Sequence, residues 1–355
     1  MLKDEPSTET LRILDANFNR ALEGLRVVED YLRFARDDHH LTESCKKIRH
    51  ELVNQLQCIS ADRLHRSRNT IQDVGVDIST AEEFQRRDIR SVASASLKRV
   101  EQSFRCLEEY LKVNYPRTAQ HIEQLRYRVY TLEKSVSVCE RAKERLQDAY
   151  LQILIDGRKS LADFTSLAES LVNAGANILQ LRAKQLHDQE LLQRGNILRE
   201  MCNGSDTLFI MNDRPDLAHL VQADGVHLGQ NDLPVDAVRR IVGADTLVGV
   251  STHDLEQARQ AVDAGADYIG VGPVFASRTK AFDQFPGLAL LHEVSREIRL
   301  PAFAIGGIAR SNLNQVTAAG FARIAVSGAV LLANDPAAEV RHFMDIFANV
   351  SSPLH

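Results

Sequence analysis

The distribution of glycine constrains this chain more than any other feature. Of its 18 glycines only Gly24 and Gly75 lie before Tyr150, and the other 16 follow it. Before Tyr150 apolar residues recur every three or four positions, the period of an amphipathic helix. After it, short β-branched runs alternate with helical stretches, and glycine punctuates the joins. The chain is thus built in two different ways. Its 355 residues leave room for two domains at roughly 100–200 residues each. The division falls in the charged helix Arg141–Tyr150, giving an all-α domain over residues 1–145 and a second domain over 146–355.

The helical half contains an internal repeat. The segment Arg20–Arg33 matches Arg99–Lys112 at an offset of 79 residues. Leu14, Phe18, Leu22, Leu25, Val28 and Leu32 line one face of the first copy, and Leu97, Val100, Phe104, Leu107 and Leu111 one face of the second. A further helix follows each copy, around Ser44–Ile59 and Ala119–Val138, giving a four-helix unit or two pseudo-symmetric pairs. Arg26 and Glu29 recur as Arg105 and Glu108. They form either a solvated or interfacial ion-paired face, the usual fate of helix charges, or a binding site. The half shows no catalytic constellation. It reads as a protein-interaction or oligomerisation module, with a regulatory ligand site or a simple scaffold as alternatives, so a homo-oligomer is possible.

In the second half eight strands are expected, at Gln152–Ile155, Ile178–Arg182, Leu208–Met211, Gly225–Leu228, Leu247–Val250, Tyr268–Val271, Ala302–Ile305 and Arg323–Val326. Most are short apolar runs, as buried parallel strands require. Helical stretches separate them. Three end in Ala174-Gly175-Ala176, Ala264-Gly265-Ala266 and Ala319-Gly320-Phe321, where glycine suits a left-handed cap. Alternation of this kind specifies a parallel α/β fold. Eight units in the roughly 205 residues after Tyr150 fit a (β/α)₈ TIM barrel, with a doubly wound sheet as the alternative.

Several classes are excluded. A formal net charge of −5 gives no basic footprint for nucleic acid. No apolar run is long enough to span a membrane, and MLKDEPSTET has no signal-peptide core. The five cysteines are scattered, odd in number and without CxxC spacing, which fits reduced thiols in a cytoplasmic protein. There is no Ser-His-Asp triad, no GxGxxG fingerprint and no obvious Schiff-base lysine.

In such barrels the chemistry sits at the C-terminal ends of the strands. The second strand ends in Gln180-Leu181-Arg182-Ala183-Lys184, and alternation puts Gln180, Arg182 and Lys184 on one side. Two cations there call for an anion, for which phosphate or diphosphate is suited. Asn212-Asp213 ends the third strand, and Asp232 follows the fourth. Each aspartate alone could cap a helix. Together, beside those cations, they suit Mg²⁺, which is held by one or two carboxylates plus substrate phosphate oxygens. Ser251 ends the fifth strand as a ligand donor or as a helix cap, and His253 beside it is structural. The run Gly272–Lys280 after the sixth strand opens a long, hydroxyl-rich, basic loop of the length that binding loops and lids have. Gly306-Gly307 and Val326-Ser327-Gly328 end the last two strands, where this fold recurrently binds phosphate. One phosphate site under strands seven and eight and a metal-assisted site across strands two to four would suit two phosphorylated substrates.

These residues resemble the thiamine-phosphate synthase family. The motifs are QLRAK at Gln180–Lys184, ND at Asn212-Asp213, ADGVHLGQNDLP at Ala223–Pro234, GVSTH at Gly249–His253, GPVFASRTK at Gly272–Lys280, AIGGI at Ala304–Ile308 and AVSG at Ala325–Gly328. The resemblance implies a transferase of thiamine biosynthesis that condenses hydroxymethylpyrimidine diphosphate with thiazole phosphate, or its carboxylate form. It implies that Gln180, Arg182, Lys184, Asn212, Ser251 and Lys280 bind the pyrimidine diphosphate, with Arg182, Lys184, Lys280 and Ser251 catalytic. Asp213 and Asp232 would hold Mg²⁺, and Ser277, Thr279, Gly307, Val326 and Ser327 would bind the thiazole phosphate. Two positions depart from the pattern. Ser277 stands where threonine is usual and keeps the hydroxyl, and Gly328 stands where alanine is usual. The competing reading is a thiazole tautomerase-like barrel without transfer, against which QLRAK, Asp213 and Asp232 speak, since tautomerisation needs no diphosphate site. The helical half resembles an extra domain fused to this synthase in some bacteria, which implies no role for it.

Overall fold

Capping side chains start three of the helices of the first half. A computed structural model describes residues 5–71, 73, 85–276 and 286–350, the side chains of 348–350 apart. Helix α1 (Thr8–Asp30) begins where the Ser7 hydroxyl accepts the Thr10 amide, and ends in a π-helical turn at Tyr31–Ala35. Helix α2 (His39–Leu56) begins at Asp38, whose carboxylate accepts the Leu41 amide at 3.0 Å. A short α3 (Ala61–Ser67) follows. Helix α4 (Ile89–Asn114) opens on a reciprocal box in which Asp88 and Ser91 each accept the other's amide. Helix α5 (Pro116–Arg145) starts on proline, whose missing N–H costs nothing at a first helical position.

The two repeat copies lie on α1 and α4, which pack together. Gly24 permits the close approach: a Cβ there would lie 2.6 Å from Val100 Cγ2. The recurring arginines and glutamates are ion-paired, as one of the two readings had it, but the glutamates are buried rather than solvated. Glu29 and Glu108 are 5% and 2% exposed. Each meets an arginine from the next helix, Arg49 Nε and Arg126 Nε, both at 2.9 Å, as well as the arginine three residues before it. For Glu108, burial alone would raise the carboxyl. Hydrogen bonds from Lys112 and Arg126, and the charges of Arg126 and Arg105, outweigh burial and hold it below the usual glutamate range.

The second half is a closed parallel barrel of β1 (Leu151–Ile155), β2 (Ile178–Leu181), β3 (Leu208–Asn212), β4 (Gly225–Leu228), β5 (Leu247–Thr252), β6 (Tyr268–Val271), β7 (Ala302–Ile305) and β8 (Ile324–Val326). Closure comes from β8 pairing with β1 in the register Leu151↔Ile324 and Ile153↔Val326. Helices α6 (Leu161–Asn173), α7 (Asp188–Cys202), α8 (Pro215–Leu220), α9 (Val235–Val242), α10 (Leu255–Ala264), α11 (Gly287–Glu297) and α12 (Leu313–Ala318) separate the strands. The four-residue α13 (Gly328–Leu331) and then α14 (Pro336–Val350) follow β8. The three repeated caps have the left-handed backbone expected, with φ of +90°, +84° and +91° at Gly175, Gly265 and Gly320. Leu146 and Ala149, ahead of β1, join Ile178, Ile210, Leu247, Tyr268 and Phe303 in one buried apolar cluster. By contact density the chain divides inside α5 into two compact units, Met1–Val136 and Ser137–His355. Among the described residues no helix is long and apolar enough to cross a membrane.

Candidate active site

The ladder between β1 and β2 sets the first part of the site. Strand β2 ends at Leu181, one residue earlier than expected, although the Arg182 amide still donates to Ile155 O at 2.9 Å. Gln180 is buried inside the barrel, where its Nε2 donates to Asn212 Oδ1 at 2.6 Å. Arg182 is half-buried, and its guanidinium makes no hydrogen bond or ion pair among the described residues. Lys184 lies in the turn beyond the strand and pairs with Asp213 at 2.9 Å.

Asp213 and Asp232 come together at the ends of β3 and β4. Asp213 has a left-handed backbone, φ +60°, which aspartate tolerates better than most residues. Its amide donates to His227 O at 2.8 Å. Asp232 Oδ2 accepts the Gly229 amide at 2.6 Å. Neither aspartate caps a helix: α8 starts behind Arg214 and α9 behind Pro234. The Asp232 carboxyl, on a residue exposed as a whole, is raised above the usual range, first by partial desolvation and then by Asp213 beside it, with the Gly229 amide and Lys184 opposing. Two carboxylates in contact are a donor set that a divalent cation relieves. Among the described residues no group of three or more His, Cys, Asp or Glu side chains gathers as a metal cluster. This pair would therefore fit a hard cation whose other ligands come from water or a substrate phosphate.

Ser251 does not cap α10; Asp254 does, accepting the Gln257 amide at 2.7 Å. Its hydroxyl instead meets His227 Nε2 at 2.9 Å, and its carbonyl accepts from Gln230 Nε2. His253 has a structural partner, Gly272 O, at 2.6 Å from its Nδ1.

The glycine turn after β7 has a packing cause beside the phosphate reading. Gly306 and Gly307 have φ of +105° and +63°. A Cβ on Gly307 would lie 2.5 Å from Ala276 O, because the segment after β6 runs against it, with the Phe275 amide donating to Gly306 O at 3.0 Å. Asn312 fixes the turn, accepting from the Ala309 amide and donating to Gly307 O. At the next strand end Val326 is buried, and Ser327 Oγ donates to Leu154 O at 2.9 Å, tying β8 to β1. Ser277, Thr279 and Lys280 lie outside the described residues.

The sequence reading gave no role to Gln152, His227 or Tyr268. All three are buried. Gln152 Nε2 donates to Gln180 Oε1, and His227 Nδ1 meets the Tyr268 hydroxyl at 3.1 Å. Burial pushes His227 down to about 4, with Asp213 countering and Arg182 adding, so the ring is neutral at neutral pH. Their signal in the sequence was a lone polar residue inside an apolar strand, as in LQILI and GVHL.

A closed parallel barrel that gathers, among its described residues, an open guanidinium, a carboxylate pair and glycine turns at its strand ends has the layout of a (β/α)₈ enzyme, whose active sites lie at that face. Residues 124–330 match the thiamine monophosphate synthase family model, and residues 12–135 that of the ThiD2 family. Thiamine-phosphate synthase of Rhodopirellula baltica is 42% identical over 333 residues, covering 91% of this chain and 89% of that one. The Synechocystis thiamine-phosphate synthase is 41% identical over 329 residues, 93% and 94% of the two chains. The solved thiamine phosphate pyrophosphorylase of Pyrococcus furiosus is 32% identical, covers 59% of this chain and 100% of its own, and has a TM-score of 0.53. The chain belongs to the thiamine-phosphate synthase family.

Proposed function

We propose that this chain condenses hydroxymethylpyrimidine diphosphate with thiazole phosphate, or its carboxylate form, and releases diphosphate and thiamine phosphate. The observation that carries this reading is the half-buried Arg182, without a partner among the described residues, two residues ahead of Lys184, which pairs with Asp213, itself against Asp232. A half-buried guanidinium favours an anion, and two carboxylates that share a single lysine favour a further cation. A diphosphate carrying a divalent ion would supply both.

In this reading residues 146–355 form the synthase domain. Gln180, Asn212 and Ser251 hold the pyrimidine, and Arg182, Lys184 and Lys280 hold its diphosphate. Ser277, Thr279, Gly307, Val326 and Ser327 hold the thiazole phosphate. Asp213 and Asp232 would hold Mg²⁺, which when bound supplies Lewis-acid charge for a leaving phosphate. The bond from the pyrimidine methylene to diphosphate oxygen breaks, and its electron pair leaves with diphosphate. The thiazole nitrogen then uses its lone pair to form the new C–N bond. Arg182, Lys184 and Lys280 favour departure by placing fixed positive charge where negative charge develops. No protein nucleophile takes part.

For the helical half, residues 1–145, we propose an interaction surface. Phe34 and Val113 each stand one residue past a repeat copy, and both are largely exposed.

The test of the reaction is an assay of the full chain with both phosphorylated substrates, with and without Mg²⁺, detecting thiamine phosphate and diphosphate. Mg²⁺-dependent formation of both in equal amounts is expected. Absence of both products, with thiazole phosphate still bound, would favour the tautomerase-like reading instead.

A further inference from the structure

The interior of a (β/α)₈ barrel is ordinarily filled by apolar side chains in layers. Here a run of polar groups crosses it. From Gln152 on β1, one arm passes to β2 and β3: Gln152 Nε2 donates to Gln180 Oε1, and Gln180 Nε2 donates to Asn212 Oδ1 at 2.6 Å. The other arm passes to β6, β4 and β5: the Tyr268 hydroxyl lies 3.1 Å from His227 Nδ1, and His227 Nε2 lies 2.9 Å from Ser251 Oγ. Gln152, which heads the first arm, stands beside the Tyr268 phenol, where the second begins. Burial raises the Tyr268 phenol, and Gln152, donating toward its oxygen, acts the other way.

The direction of proton donation follows from the chemistry of these groups. An amide nitrogen only donates, and it carries two hydrogens. The Tyr268 hydroxyl has His227 Nδ1 as its hydrogen-bond partner at 3.1 Å, and with an amide hydrogen of Gln152 beside its oxygen the phenolic hydrogen turns to that nitrogen. A neutral imidazole that accepts at Nδ1 carries its hydrogen on Nε2. His227 then donates to Ser251 Oγ, and the serine hydroxyl hydrogen is left for a ligand. On the other arm Asn212 Oδ1 is occupied, so its Nδ2 hydrogens face outward. Both arms end in donors. Gln152, Tyr268 and His227 are 2%, 0% and 8% exposed, so water does not scramble this order.

We propose that Gln152, Tyr268 and His227 are positioning residues that orient Asn212 and Ser251 as hydrogen-bond donors toward acceptor atoms of the pyrimidine substrate. This rests on the reading of Asn212 and Ser251 as pyrimidine contacts. The order selects a ring that offers acceptor nitrogens at both ends, and it acts on binding of that substrate alone.

The test uses the full chain and four substitutions, three at His227 and Tyr268 and one at Ser251. His227→Gln keeps a carbonyl to accept from Tyr268 and an N–H to donate to Ser251. His227→Leu keeps neither, and Tyr268→Phe removes one hydroxyl from a fully buried ring. Steady-state kinetics should show His227→Leu raising KM for the pyrimidine diphosphate roughly tenfold, the worth of one hydrogen bond. KM for thiazole phosphate should stay unchanged, and His227→Gln should restore most of the loss. Tyr268→Phe should raise the same KM less. Combining His227→Leu with Ser251→Ala should cost no more than Ser251→Ala alone. Equal effects of Gln and Leu at position 227, or equal changes in both KM values, would overturn the proposal and leave the substrate reading intact. An unchanged pyrimidine KM in Ser251→Ala would overturn the reading of Ser251 itself, and the proposal with it.

Discussion

The helical unit and the strand interior of the barrel bury polar groups in different ways. In the helical unit, Glu29 and Glu108 are buried as charges, and each is closed off by arginines from its own and the next helix. Inside the barrel the buried polar groups are neutral: Gln152, Gln180, a histidine held uncharged by burial, and a tyrosine. Elsewhere in the barrel unit a buried charge such as Asp267 is closed by Arg239, but at the C-terminal strand ends the described charges are closed less fully. Arg182 has no partner among the described residues, and Asp213 and Asp232 share one lysine between them. Saturated charges serve the fold, since removing one partner strands the other. Charges left open among the described residues at strand ends are available to a ligand ion, which is the role proposed for them.

The comparison breaks most directly at the rim. Asp213→Ala should lower kcat/KM at least about a hundredfold, as loss of a metal ligand does, while thermal unfolding stays close to the parent. Parent-like turnover in steady-state kinetics would remove the metal assignment. The helical counterpart is Glu108→Ala, which strands Arg126 and should cost about 3 kcal/mol of stability in urea unfolding, with both substrate KM values unchanged. Its pH dependence has a definite sign. Because the Glu108 carboxyl is held below the ordinary glutamate range, its contribution is present above about pH 4.3 and is lost as pH falls through the lower native value. The gap between parent and Glu108→Ala should therefore close on acidification; a gap that widens below pH 4 would contradict the ion-pair account. The smallest effect is expected from replacing Phe34 and Val113 together by serine. Light scattering should show a lower mass than the parent with kinetics unaltered, and an unchanged mass would remove that surface from any oligomer.

What the sequence disclosed, and what it hid, follows the same division. The barrel was legible because its period changes at Tyr150 and three glycine caps repeat, both local signals. The rim residues were legible because charge at the end of an apolar strand is conspicuous, although Lys184 lies in a turn rather than on the strand itself. The interior chain was not. A single polar residue in LQILI or GVHL looks incidental until closure brings β1, β4 and β6 around one axis. The sequence alone does not separate a solvated face from an interfacial one or a binding site at Glu29 and Glu108, for a related reason. Helical periodicity places a residue on a face, but the arginines that bury it, Arg49 and Arg126, come from other helices.

The central claim is that the rim is an incomplete site which a diphosphate completes. Calorimetric titration of Mg²⁺ into the full chain, with and without the pyrimidine diphosphate and no second substrate, tests it directly. Two protein carboxylates alone bind Mg²⁺ weakly, so the account expects weak binding to the free chain and affinity at least about tenfold tighter once the diphosphate is present. Asp213→Asn should abolish that gain. Equal Mg²⁺ affinity with and without the diphosphate, or a gain that survives Asp213→Asn, would contradict it.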